Sequence, residues 1–105
     1  MSFSPRTRAP EVDTARLAAA LVDGAVVIDV RMPDEYAEAH VPGAVLIPLP
    51  ELGARIDEVP RDHQVFVICA VGGRSLAAAA ALNNAGWDTV SVSGARRHGW
   101  PRAAR

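Results

Sequence analysis

The stretch Val65-Phe66-Val67-Ile68-Cys69-Ala70-Val71-Gly72-Gly73-Arg74-Ser75-Leu76-Ala77-Ala78-Ala79-Ala80 decides the fold. Its first half, with Gln64 ahead of it, is an unbroken apolar run rich in β-branched residues, which predicts a strand covered on both faces. Its second half opens an alanine-rich segment, Ser75 to Ala85, that predicts a helix, because alanine has the highest helix propensity; Gly86 then stops it. A buried strand leading through a glycine-bearing loop into a helix is the repeating unit of a parallel α/β sheet.

The flanking chain repeats this pattern. Residues 1–10 hold Pro5, Pro10, Arg6 and Arg8 and read as a loose lead-in. Asp13 is a plausible N-cap for the segment 14–24, in which Leu17, Ala20 and Leu21 form an apolar stripe and Gly24 marks the stop. AVVIDV (25–30) reads as a second fully covered strand. Met32 to His40 reads as a short helix with Pro33 in its first turn and acids behind it. VPGAVLIPLP (41–50) reads as turn, short strand and turn. Pro50 to Glu58 reads as a further helix, with Leu52 and Ile56 four apart, and Asp88 to Ser93 as a last strand. The remainder, from Gly94 onward, has no usable period. Strands alternating with helices predict an α/β domain whose central, mostly parallel sheet has about five strands, with helices on both faces.

Composition sets outer limits. The 105 residues are 50% hydrophobic and 22% charged, which suits one globular domain with a real core. The formal net charge of -1 argues against a general nucleic-acid binder. All 11 basic residues are arginine, and Arg96, Arg97, Arg102 and Arg105 crowd the end, where they form a basic tail. One cysteine allows neither an internal disulfide nor a cysteine metal cluster, so no metal and no cofactor is expected. No signal-like apolar run opens the chain, and none approaches the roughly 18 apolar residues that span a bilayer. A cytoplasmic protein without membrane contact is the expectation.

Cys69 is the candidate reactive group. Ligands of open α/β sheets bind outside the carboxyl ends of the strands. A helix N-terminus offers unpaired N–H groups and a positive dipole end. A cysteine at that junction is expected to have a depressed pKa and to serve as a nucleophile. Gly72 and Gly73 let the loop curl so that its N–H groups converge as an anion nest, and Arg74 adds a fixed charge. The competing reading is an inert, buried cysteine at a strand end, since unoxidised cysteine is among the most buried residue types. A nucleotide phosphate loop is disfavoured, because neither GxxxxGK[ST] nor GxGxxG occurs.

Taken together, the motifs resemble the rhodanese homology domain. IDVRMPDEY (28–36) resembles that family's Asp-Val-Arg…Glu-Tyr element, HVPGAVLIP (40–48) its His-Ile-Pro-Gly-Ala…Ile-Pro element, CAVGGRS (69–75) its active-site loop, and GWDTVSVSG (86–94) its following strand. The likeness covers Val12 to Gly94 and places a rhodanese-like domain at residues 11–105. It implies a sulfurtransferase that moves a sulfane sulfur from thiosulfate or a persulfide to a thiophilic acceptor, through a persulfide on Cys69. By position, Ala70, Val71, Gly72, Gly73, Arg74 and Ser75 would form the substrate loop, with Arg74 closing it and Ser75 capping the helix. Asp29, Arg31 and His40 would support it, chiefly as structural hydrogen-bonding groups. Glu35 reads as a first-turn helix acid and Tyr36 as core. His63 and His98 read as surface residues, and Trp87 and Trp100 as packing anchors. The implied partners are a small-molecule sulfur donor and a thiol, cyanide or protein acceptor, with the chain a monomer or weak homodimer.

The loop spacing is Cys-x4-Arg, shorter than the Cys-x5-Arg of tyrosine-phosphatase-type enzymes, which argues for sulfur over phosphate chemistry. Ala39 stands where the family usually has glycine. Ala70 and Val71 stand where it often has polar or basic residues, so a persulfide is the expected donor in preference to the thiosulfate dianion. The segment between Gly94 and Trp100 is about one residue longer than the family pattern. The alternative to an enzyme is a rhodanese-like binding or regulatory module whose cysteine is idle.

Overall fold

The first helix begins where the sequence places its cap. Asp13 accepts a hydrogen bond from the backbone N–H of Arg16 at 2.9 Å, satisfying one of the orphan donors of helix α1 (Thr14–Val22). Gly24, at φ +82°, takes the left-handed turn that ends it. The structure, a computed structural model, describes residues 10–69 and 73–92. The lead-in at 1–9, the loop residues Ala70, Val71 and Gly72, and everything from Ser93 onward, including the terminal arginines, His98 and Trp100, lie outside the described residues.

Five strands form one sheet: β1 (Glu11–Val12), β2 (Val26–Asp29), β3 (Val45–Leu46), β4 (Val65–Ile68) and β5 (Thr89–Val92). Their order is β1-β5-β4-β2-β3, and every neighbouring pair is parallel. The apolar runs at β2 and β4 thus occupy the middle of the sheet, where both faces are covered. Helices α1 and α2 (Pro33–Glu38) lie on one face and α3 (Gly73–Asn84) on the other.

Alternation along β4 divides the core. Phe66 and Ile68 pack with Leu17, Ala20 and Val90 on the α1 face. Val65, Val67 and Cys69 pack with Ala78, Ala79 and Leu82 on the α3 face. Ala78 and Ala79 are fully buried, and their small side chains let α3 sit close against the sheet. On β5 the α3-facing positions are polar, Thr89 and Ser91, yet both are fully buried. Thr89 Oγ1 donates to the Ala79 carbonyl at 2.9 Å, and Asn83 Nδ2 donates to the Thr89 carbonyl at 3.0 Å. Each buried polar group therefore has its partner.

Two expectations need correction, and one strand lies where the sequence carries no pattern. The helix expected over Pro50–Glu58 is instead two short 3-10 turns, Leu49–Glu51 and Ile56–Glu58. Gly53 in the middle costs about 1 kcal/mol of helix propensity, and Leu52 is the one buried residue of the stretch, so little packing supports a continuous helix. Arg55 holds the two turns together through Glu51 at 3.1 Å and Glu58 at 2.9 Å. The strand β1 had no signal in sequence; two residues are too few for a pattern. Tyr36, expected in the core, is half-buried against the α1-face cluster, with its hydroxyl donating to the Ala44 carbonyl at 2.7 Å.

The turn after α3 rests on Gly86, whose φ of +108° suits glycine alone. A Cβ there would come within 2.8 Å of the Arg61 guanidinium, which itself stacks over the Trp87 ring at 3.9 Å. The Arg61 side chain can swing away, so the cost of Gly86→Ala lies in the backbone. We expect destabilisation of about 1–3 kcal/mol, read as a lower urea midpoint at unchanged m-value. Trp87 is buried and donates from Nε1 to the Val59 carbonyl at 3.0 Å, the packing role expected of it.

Candidate active site around Cys69

The connection leaving β2 runs to β3 on one side, whereas that leaving β4 runs to β5 on the other. The carboxyl ends of β2 and β4 therefore flank the point where strand order reverses, the crevice in which open α/β sheets place ligands. Cys69 is the first residue beyond β4 and is fully buried on the α3 face.

Helix α3 begins at Gly73, so Ser75 is its third residue and not its cap, contrary to the expectation from sequence. The backbone N–H of Ser75 donates to Cys69 Sγ at 3.1 Å. An N–H of the first helical turn has no acceptor within the helix, and here the sulfur takes it. The same contact directs the N-terminal turn of α3 at the sulfur. The Ser75 hydroxyl is fully buried and lies 2.8 Å from the Ser91 hydroxyl of β5. That bond fixes the first turn of α3 to the sheet and so fixes the N–H that meets Cys69. Ser75→Ala should leave Ser91 without its buried partner and cost about 1–3 kcal/mol, measured by denaturant unfolding. The alternation of polar and apolar residues in Thr89-Val90-Ser91-Val92 was the available signal for Ser91.

Arg74 reaches across to α2. Its guanidinium meets Glu35 in a two-point pair, NH1 to Oε1 at 3.0 Å and NH2 to Oε2 at 3.1 Å. Glu35 Oε1 also accepts from the Met32 backbone N–H at 2.8 Å, closing the first turn of α2. The Arg74 hydrogen bonds, then that of Met32, hold the Glu35 carboxyl down from 4.5 to about 2. The same pair raises the pKa of Arg74, and negative charge at Cys69 and Asp29 acts in the same direction. Since the Glu35 pKa is depressed on folding, the pair's contribution is present at neutral pH and is lost only as pH falls from about 4.5 towards 2. Sequence reading saw Glu35 only as a helix acid; nothing local marks a partner 39 residues away.

Asp29 and Arg31 form a separate buried unit. Asp29 Oδ1 accepts from the Arg31 backbone N–H at 3.0 Å, and Oδ2 from its NH2 at 2.8 Å. That NH2 also donates to the Ala39 carbonyl at 2.7 Å, tying the end of β2 to the end of α2. Asp29 is paired in register with Ile68 of the α1 face, so this unit sits across the sheet from the Cys69 side chain. His40 is exposed; its Nδ1 donates to the Tyr36 carbonyl at 2.7 Å and its ring stacks on that of Tyr36 at 3.7 Å. His63 is exposed as well. Of the sequence candidates, the structure thus gathers Cys69, Arg74 and Ser75 at one junction, with Gly73 opening the helix, and places Asp29, Arg31 and His40 as bracing around α2.

A parallel α/β sheet with a cysteine seated between its central strand and the next helix defines a class of cysteine-bearing domains. The chain belongs to the rhodanese-like domain family, whose model matches residues 13–95. It is similar to a sulfurtransferase of Allochromatium vinosum, 32% identical over 90% of this chain and 94% of that protein. It is 41% identical to the thiosulfate sulfurtransferase PspE of Escherichia coli, over 64% of this chain and 66% of that one. Among solved structures, a rhodanese-related protein of Thermoplasma volcanium superposes with a TM-score of 0.80 at 30% identity, covering 91% of this chain and 99% of the other. Other relatives are longer: the chain spans 35% of the length of a putative sulfur carrier protein of Bacillus subtilis.

Proposed function

We propose that this protein is a sulfurtransferase that carries a sulfane sulfur as a persulfide on Cys69. The carrying observation is the Ser75 N–H directed at Cys69 Sγ from the first turn of α3. The Cys69 thiolate attacks the outer sulfur of a donor, the donor's S–S bond breaks, and its remainder leaves with the electron pair. The Cys69 persulfide then gives that outer sulfur to cyanide or a thiol and returns to the thiolate. With one cysteine in the chain, the sulfur must leave to an outside acceptor, a small molecule or a protein thiol. The relatives named as sulfurtransferases support the reaction class, and one of them is named for thiosulfate. We place the reaction in the reducing cytoplasm, where the thiol stays available.

Intact mass after incubation with a sulfane donor should show a gain of one sulfur atom on the wild-type chain and none on Cys69→Ser. A second reading, a binding or regulatory module with an idle cysteine, draws on the complete burial of Cys69. No adduct with thiosulfate or with a small organic persulfide would decide for that module.

A further inference from the structure

Among the described residues, the charge at the Cys69 junction is paired. The loop Cys69–Ser75 contains one charged side chain, Arg74. Both terminal nitrogens of its guanidinium are taken up by the two carboxylate oxygens of Glu35. The other nearby arginine, Arg31, spends its charge on Asp29 across the sheet. Two arginines and two carboxylates leave the described part of the site with no surplus positive charge.

A two-point guanidinium–carboxylate pair is geometrically saturated on the face it uses, and a second anion must compete with the bound carboxylate for it. With Glu35 held down to about 2, the carboxylate stays charged throughout the neutral range and the competition does not relax. The consequence depends on the sulfur donor's charge. Thiosulfate brings two negative charges and expels sulfite, also a dianion. An organic persulfide, R–S–SH, brings at most one and expels R–S⁻. In both cases the Cys69 thiolate takes the outer sulfur and the leaving group keeps the electron pair of the broken S–S bond. Coulombic energy scales with the donor's charge, so a cancelled Arg74 handicaps the dianion about twice as much.

We infer that Glu35, by pairing with Arg74 beside Cys69, sets the site's preference for sulfur donors of low charge, namely organic persulfides, over the thiosulfate dianion. This rests on the reading of Cys69 as a sulfur carrier. Glu35 is a positioning residue in it, acting through Arg74.

The test compares kcat/KM for thiosulfate with that for the persulfide of N-acetylcysteine methyl ester, which carries no charge beyond the persulfide itself, each with cyanide as acceptor. The wild type should favour the persulfide by about tenfold or more. In Glu35→Gln the thiosulfate-to-persulfide ratio should rise about tenfold, while Glu35→Asp, which keeps the charge, stays nearer the wild-type ratio. A merely structural role would lower both donors together and leave the ratio where it was, and that result overturns the inference. So does a wild type that uses thiosulfate as well as the persulfide. Should Glu35→Gln fail to fold, the wild type alone decides: its kcat/KM for thiosulfate should be nearly flat in added NaCl, because no net charge attracts the dianion, and a steep fall with salt overturns the inference. Failure of the sulfurtransferase reading looks different, as no sulfur appears on Cys69 from either donor.

Discussion

Cys69→Ser is expected to lower sulfur transfer by more than about a thousandfold while leaving the fold intact. The two side chains have nearly the same shape, and a serine oxygen can accept the Ser75 N–H that the sulfur accepts now. What is lost is chemistry: a hydroxyl does not ionise near neutral pH, and a thiolate is the species that attacks a sulfane sulfur. Cys69→Ala should be equally inactive but less stable. It removes the acceptor at 3.1 Å and strands a buried N–H, at a cost of about 1–3 kcal/mol. Turnover with a sulfane donor and cyanide, beside urea unfolding of the three proteins, checks both halves. A stability order with alanine above serine would mean that the Ser75 N–H has another acceptor and does not serve the sulfur.

The largest effect on stability is expected from Asp29→Ala. The Asp29 carboxylate is fully buried and holds the Arg31 guanidinium, whose side chain is only 8% exposed, through several short bonds. Removing it leaves a buried charge without its counter-ion, at a cost of about 3–5 kcal/mol. A domain of this size is stable by roughly 5–15 kcal/mol, so the variant should be marginal or unfolded at 37 °C. Asp29→Asn keeps the shape and part of the hydrogen bonding and should fall between. Chemical denaturation gives the values. If Asp29→Ala cost less than about 1 kcal/mol, the remaining partners of Arg31, the Ala39 carbonyl among them, would be enough to hold its charge.

The fold was legible in sequence where one signal dominated. The runs at 25–30 and 64–69 are apolar at nearly every residue that a twice-covered strand buries, Asp29 being the exception, and they lie in the middle of the sheet. The alanine-rich helix, the Asp13 cap and the stops at Gly24 and Gly86 also declared themselves, because propensity and capping are local. Strand β1 did not, since Glu11-Val12 is a strand only because the edge of β5 lies open to it. Pro50–Glu58 misled because Leu52 and Ile56, four apart, match the helical period, although Leu52 lies between the two 3-10 turns. At the site, Cys69 and the loop after it could be picked out from strand, glycines and helix. The Glu35–Arg74 pair could not, because it joins two elements that only the folded sheet brings together. Ser75 was placed one turn wrong: a serine beside a helix start looks like a cap until its hydroxyl is seen bonded to Ser91.

The pairing of Glu11 with Ser91 and Val12 with Val92 has a temporal side. A ribosome delivers β1 first and β5 last, so the first strand must wait, unpaired, for nearly the whole domain to emerge. Parallel sheets already fold slowly, because each new strand closes a long loop before it is rewarded. The Ser75–Ser91 bond that steadies the cysteine's helix belongs to the same late event. The nascent chain therefore gains its edge strand and the Ser75–Ser91 bond together, and a half-synthesised domain would hold the cysteine without the bond that steadies the helix beside it.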